Sequence, residues 1–212
     1  MYLSRVMLKD NQNYRNYVYT NLQYFHKWVE ESFPNEFKEN IRTRKLWRLD
    51  SFNNKNYLVM LSEQKPDIEM FERNGIKGTA KITNYDQFLD DISENKLYRF
   101  KIKYNPVSSV YVRNSNRNSK RGDNFICRSD EDKIKYLIDR SDKNGFEVLE
   151  CTLIQSGYDK LVKDNQKAPI NKAVVEGVLT VKDVEKFKEI LINGFGKRKA
   201  YGYGLMTILP IA

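Results

Sequence analysis

Residues 2–8, YLSRVML, form a short, mostly apolar run that predicts an opening strand. From Tyr14 to Phe33 the apolar positions Tyr14, Val18, Leu22, Phe25 and Val29 are spaced four, four, three and four apart, which is one stripe along a helix. Past Pro34, the runs KLWRLD and YLVMLSE flank Asn53-Asn54-Lys55-Asn56 and read as a β-hairpin. A short helix is expected after Pro66, and Gly75 and Gly78 punctuate the chain before the strand-like TAKITNY.

The second half repeats this order more loosely. LYRFKIKYNPV alternates like a strand, residues 130–142 are helical in pattern, and FEVLECTLIQ and KAVVEGVLTV read as strands. Thr180 is a candidate cap for the helix VKDVEKFKEILI, which carries Val184, Phe187, Ile190 and Leu191 on one face. That helix ends at Asn193-Gly194, before a last strand in YGLMTILP. Strand, helix, two strands, helix, strand is the order of a ferredoxin-like unit. The expected fold is therefore α+β: tandem ferredoxin-like (RRM-like) domains with antiparallel sheets, residues 1–92 and 93–212. No residue-level repeat links the halves, so the duplication rests on element order alone.

Composition narrows the function. Of 212 residues, 40% are hydrophobic and 13% aromatic, enough to fold the bulk of the chain around a core. Lys and Arg number 37 against 28 Asp and Glu, a net charge of +9 that favours a polyanionic partner or serves only solubility; charge alone does not separate the two. Cys127 and Cys151, far apart and outside any Cys/His cluster, indicate neither a disulfide framework nor a structural zinc site and suit a cytoplasmic setting. The N-terminal MYLSRVMLKD lacks a signal-peptide pattern, and YLVML is too short to span a bilayer, so no membrane role is expected.

The distribution of charge is more telling than its sum. In residues 110–128, VYVRNSNRNSKRGDNFICR, the cations Arg113, Arg117, Lys120, Arg121 and Arg128 face one acid, Asp123, in a polar loop or hairpin suited to phosphate contact. Residues 194–205, GFGKRKAYGYGL, combine glycines (Gly196 and Gly202 among them) with Lys197, Arg198 and Lys199 and with Tyr201 and Tyr203. Such glycines let backbone N–H groups approach an anion, the cations neutralise phosphates and the aromatics stack on bases. A dinucleotide-binding reading fails because no helix follows the loop. His26, the one histidine, falls beside the Leu22 and Val29 edge of the apolar stripe. A lone helical histidine is more often a spectator than a catalyst, so its meaning depends on context.

The context is a resemblance. MYLSRV, the histidine followed by WVEESFP, KLWRLD, FKIKYNP, VVEGVLTV and the closing GFGKRKAYGYGLMTILP together resemble the CasE endoribonucleases of type I-E CRISPR systems over nearly the whole chain. The resemblance implies binding to the repeat stem-loop of precursor CRISPR RNA and cleavage at the base of the stem. The product would be retained beside the other protein subunits of Cascade. It implies metal-free chemistry with no cofactor: attack by the neighbouring 2′-hydroxyl, leaving a 2′,3′-cyclic phosphate and a 5′-hydroxyl, with His26 moving a proton. One imidazole cannot be base and acid at once, so a second group must act.

Members of that family place a tyrosine three residues before the histidine, where this chain has Gln23. Tyr24 is the nearest candidate, although two residues of helix turn it by about 200° from His26. A helix break near Thr20-Asn21 would reposition Tyr24, and Tyr19 lies on the His26 face two turns away. The alternative reading, from a different class, is a non-catalytic hairpin-binding subunit.

Overall fold

The computed structural model describes residues 1–9, 21–110, 123–163 and 166–211. The first half contains β1 (Tyr2–Met7), α1 (Leu22–Glu31), α2 (Pro34–Glu39), β2 (Lys45–Phe52), β3 (Lys55–Ser62), α3 (Ile68–Glu72), β4 (Lys81–Asn84) and α4 (Asp86–Asp90). The second contains β5 (Leu97–Tyr104), β6 (Val107–Val110), β7 (Asp123–Ile126), α5 (Asp130–Ser141), β8 (Phe146–Lys163), β9 (Gln166–Val181), α6 (Val184–Asn193) and β10 (Met206–Pro210).

Both main sheets are antiparallel and four-stranded, ordered β2-β3-β1-β4 and β10-β5-β9-β8. Each has the ferredoxin-like arrangement, with the first and third strands of the unit at the centre. The tandem expectation therefore holds at the level of topology. The β2–β3 hairpin turns on Asn53 and Asn54, with φ of 49° and 59°. Two successive left-handed residues are what a two-residue hairpin loop requires, and Asn tolerates that region better than most residues.

Two details differ from the sequence reading. The last helix is capped by Asp183, whose carboxylate accepts from the Lys186 N–H at 3.1 Å, whereas Thr180 lies buried within β9. A carboxylate at the positive end of the helix supplies both the hydrogen bond and the favourable charge. The β8–β9 hairpin is also far longer than FEVLECTLIQ and KAVVEGVLTV, pairing from Phe146↔Val181 out to Lys163↔Gln166. Its outer part is polar, which hid it from a hydrophobicity-based reading, and it reaches across to α1.

Each half lends side chains to the other's core. Leu161 and Ile170 of the long hairpin, with Tyr203, join Leu22, Phe25, Trp28, Trp47 and Met60. In return, Leu46 and Leu61 of the first sheet pack in the core formed by β5, β9, α5 and α6. Between the sheets lies Arg48, buried on β2. Its guanidinium donates to both oxygens of Asp50 (2.9 and 2.8 Å), to the Lys101 and Leu205 carbonyls (2.8 and 2.9 Å) and to Thr207 Oγ1 (2.9 Å). Burial alone would raise the Asp50 carboxyl, but Arg48 and Lys101 beside it hold it below the usual carboxylate range. Among the described residues no helix is long and apolar enough to cross a membrane.

Because Asp50 titrates below its unfolded value, its contribution is present above the ordinary carboxylate pKa and is lost as pH falls through the folded one. Asp50→Asn is expected to lower neutral-pH stability by about 3 kcal/mol in chemical denaturation, since it leaves Arg48 buried with a neutral partner. The gap to wild type should narrow as pH drops below about 4.

Candidate active site

Asn21 starts α1: its backbone is extended (φ −114°, ψ 101°) and its side chain accepts from the Gln23 N–H at 3.0 Å. Leu22, Phe25, Trp28 and Val29 form the buried stripe of the helix. His26 follows Leu22 by one turn, and its side chain is left 15% exposed at the edge of the stripe. The ring is flanked on three sides: Arg42 Nη2 lies 3.5 Å from Nε2, Glu30 Oε1 lies 3.9 Å from Nδ1, and the Tyr201 ring centroid is 5.3 Å away. Arginine only donates, so this contact suits a neutral imidazole that carries its proton on Nδ1, toward Glu30.

Glu30 is in turn fixed by Arg42 Nε at 3.3 Å and Lys45 Nζ at 3.8 Å. Lys45 is buried and anchored to Glu36 at 2.5 Å. Burial works against the Glu36 charge, but hydrogen bonds from Lys45 and Thr43 hold its carboxyl below the usual range. A chain of alternating charges thus runs from the interior to the imidazole.

The other wall comes from the far end of the chain. Trp47 Nε1 donates to the Ala200 carbonyl at 3.1 Å, and Gly202, with φ +82°, lies so close that an added Cβ would meet the Trp47 ring at 2.6 Å. Gly194 stands similarly against Leu46, where a Cβ would come within 2.7 Å. Arg44 Nη1 donates to the Asn193 carbonyl at 3.0 Å. These contacts press the 194–205 segment onto β2 and bring Tyr201 and Lys199 to the cleft. The cleft encloses about 430 Å³ and is lined by His26, Glu30, Arg42, Arg44, Trp47 and Lys199, among others. Burial, with Arg44 adding repulsion, lowers the pKa of Lys199 and makes it a readier proton donor than a free lysine.

The structure thus joins His26 with Lys199 and Tyr201, about 175 positions apart in sequence. Tyr24 turns its ring edge-on to Phe25 and Trp28, at centroid distances of 5.5 and 6.4 Å; among the described residues the tyrosine packed on His26 is Tyr201, and Tyr19 lies outside them. Gly196 and Lys197 are exposed, and Arg198 is exposed in the left-handed region (φ 63°). Gly202 is buried beneath the loop, where its lack of a side chain serves Trp47. Arg128 is exposed just past β7, while Arg113, Arg117, Lys120 and Arg121 lie outside the described residues. Arg42, Arg44 and Glu30 had escaped notice, although the cation-rich Arg42-Thr43-Arg44-Lys45 was there to be read. Among the described residues no three His, Cys, Asp or Glu side chains converge as metal ligands.

Residues 1–210 match the family model described as CRISPR associated protein. The CRISPR-associated endoribonuclease Cse3 of Thermus thermophilus is 23% identical over 224 residues, covering 99% of this chain and all of that protein. Among solved structures, Thermus thermophilus Cse3 bound to an RNA representing a pre-cleavage complex superposes with a TM-score of 0.76 at 20% identity, over 99% of this chain and 98% of that one. Cas6e of Escherichia coli K-12 does so at 0.67 and 18% identity, over the full length of both chains. At these identities the superpositions establish a common fold.

Gly202→Ala should strain a left-handed residue and drive a methyl into Trp47, costing roughly 2 kcal/mol of stability in denaturant titrations. Intrinsic tryptophan fluorescence should shift with it, because Trp47 has to yield.

Proposed function

The chain belongs to the CRISPR-associated protein family, and we propose that it is a metal-independent endoribonuclease acting on the repeat stem-loop of precursor CRISPR RNA. It cuts at the base of the stem in the cytoplasm and keeps the product as a Cascade subunit. The observation that carries this reading is the cleft in which His26, ringed by Glu30 and Arg42, meets Tyr201 and Lys199. The curated relatives support it: one is described as an endoribonuclease and the other, from Escherichia coli, as the Cascade subunit CasE, 25% identical over 53% of this chain.

In this mechanism Arg42 turns from Nε2 to a phosphate oxygen when RNA enters. Freed of that donor, Nε2 accepts the proton of the 2′-hydroxyl while Nδ1–H stays directed at Glu30. The 2′-oxygen bonds to phosphorus and the bond from phosphorus to the 5′-oxygen breaks. Lys199 protonates the departing oxygen, giving the cyclic phosphate and a 5′-hydroxyl. Arg42 and Arg44 offset charge on the phosphorane, and Tyr201 holds the imidazole plane and flanks the nucleotide. Exposed Arg198 and Lys197, Gly196 and Arg128, together with Arg113, Arg117, Lys120 and Arg121, serve the stem phosphates in this reading.

With a repeat hairpin in excess EDTA, wild type should cleave once and a 2′-deoxy nucleotide at the cut site should block the reaction. His26→Ala should bind normally yet cleave at least about a hundredfold more slowly. Tight binding by wild type without cleavage would instead make the protein a holder of the hairpin. Lys199→Met should slow cleavage by about ten- to a hundredfold. In wild type the rate should fall on the alkaline side at a pH below that of an ordinary lysine, because burial lowers Lys199, and this limb should vanish in the variant.

A further inference from the structure

The two oxygens of Glu30 face different partners. Oε2 is approached by Arg42 Nε at 3.3 Å and by Lys45 Nζ at 3.8 Å, while Oε1 is the oxygen turned to His26 Nδ1, at 3.9 Å. A carboxylate gripped at one oxygen by two cations cannot rotate without leaving them, so the cations decide which oxygen the imidazole meets.

These two cations are not equivalent. The Arg42 side chain is 69% exposed, and in the mechanism above it turns to a phosphate when RNA enters. The Lys45 side chain is 1% exposed and fixed. Its ammonium donates to Glu36 at 2.5 Å and to the Thr43 carbonyl at 3.1 Å, and lies 4.8 Å from the centre of the Phe33 ring. Thr43 in turn donates to Glu36 through both its backbone N–H and its hydroxyl, so the carboxylate that anchors Lys45 is itself held. Glu36 already balances the buried charge of Lys45; its reach to Glu30 does something further.

We infer that Lys45 is a positioning residue for His26: it holds Glu30 by Oε2, so that Oε1 keeps facing Nδ1 and Nε2 stays open to the 2′-hydroxyl once Arg42 has turned away. The purpose of the contact rests on the nuclease reading above, which it deepens. Its electrostatic effect runs the same way. Among the described residues lining the cleft, Glu30 is the one acid, set against Arg42, Arg44, Lys45 and Lys199, with Tyr201 packed on the ring. A carboxylate left alone beside an imidazole favours the imidazolium, which cannot accept a proton. Lys45 on Oε2 offsets part of that charge and keeps the ring neutral and basic over more of the neutral pH range.

His26 is the chain's only histidine, so its ring signals in an NMR titration are unambiguous. The titration compares wild type with Lys45→Met/Glu36→Gln, which removes the buried pair together and leaves no interior charge without a partner. The His26 midpoint should rise by about 0.5 to 1 pH unit. Lys45→Gln, which keeps a donor toward Glu36 without the charge, should raise it too and serves if the double variant does not fold. Glu30→Gln should lower the midpoint, and in that background the pair replacement should leave it in place, because Lys45 acts through Glu30. An unchanged midpoint when Lys45 loses its charge, or an equal rise with and without the Glu30 carboxylate, would overturn the inference. With repeat hairpin in EDTA, the acid limb of the cleavage rate should move with the midpoint. Absence of cleavage by wild type would sink the nuclease reading, whereas the titration, made without RNA, would still decide whether Lys45 acts on His26.

Discussion

Arg48 is the constraint on which the rest of the structure depends. A buried guanidinium is costly unless each of its N–H groups finds an acceptor, and here all five do so, across two sheets. Those acceptors fix where β2, the edge of the first sheet, lies against β5 and β10 of the second. Everything that builds the His26 cleft then follows from the position of β2. Leu46 meets Gly194, Trp47 meets Gly202 and Ala200, and the residues before β2 supply Arg42 and Arg44. A shift of β2 along β10 would carry Tyr201 and Lys199 away from α1 without breaking a hydrogen bond inside either sheet. The candidate site is thus a property of how the halves dock.

This also explains which parts of the molecule were legible in its sequence. Strand and helix periods are local, so YLSRVML, KLWRLD, YLVMLSE and VKDVEKFKEILI revealed both ferredoxin-like units and their order. His26 and the loop at 194–205 stood out by residue type. Their meeting did not, because no local pattern encodes a contact between α1 and the chain's last turn. The outer β8–β9 arm escaped for a different reason. Its described stretches SGYDKLV and QKAPIN are mostly polar where they meet solvent, and among them only Leu161 and Ile170 report the contact with the first core. Register pairing carries such a strand where hydrophobic alternation is weak. The same limit applies to the tyrosines: among the described residues the ring packed on the imidazole is that of Tyr201, which no spacing along α1 could indicate, while Tyr19 lies outside the described residues.

The charged residues separate into two populations, and that separation turns a net charge of +9 into an argument about RNA. Arg48, Lys45 and Lys103 are buried, and each sits on a carboxylate: Asp50, Glu36 and Asp159. Those pairings are structural, since an unpaired interior charge would not be tolerated. Exposed cations obey no such demand. Arg44 lines the cleft, Arg198 lies in the loop beside it, and Arg128 is exposed past β7; each is hydrated by water that a phosphate can replace. Lys199 stands between the two populations, half-buried next to Arg44 with its proton loosened. A cation placed to hold structure would be given a carboxylate. Lys199, left beside another cation in a cleft it shares with a histidine whose neighbouring carboxylate is held by Arg42 and Lys45, has the environment that the proposed proton transfer to a departing oxygen requires.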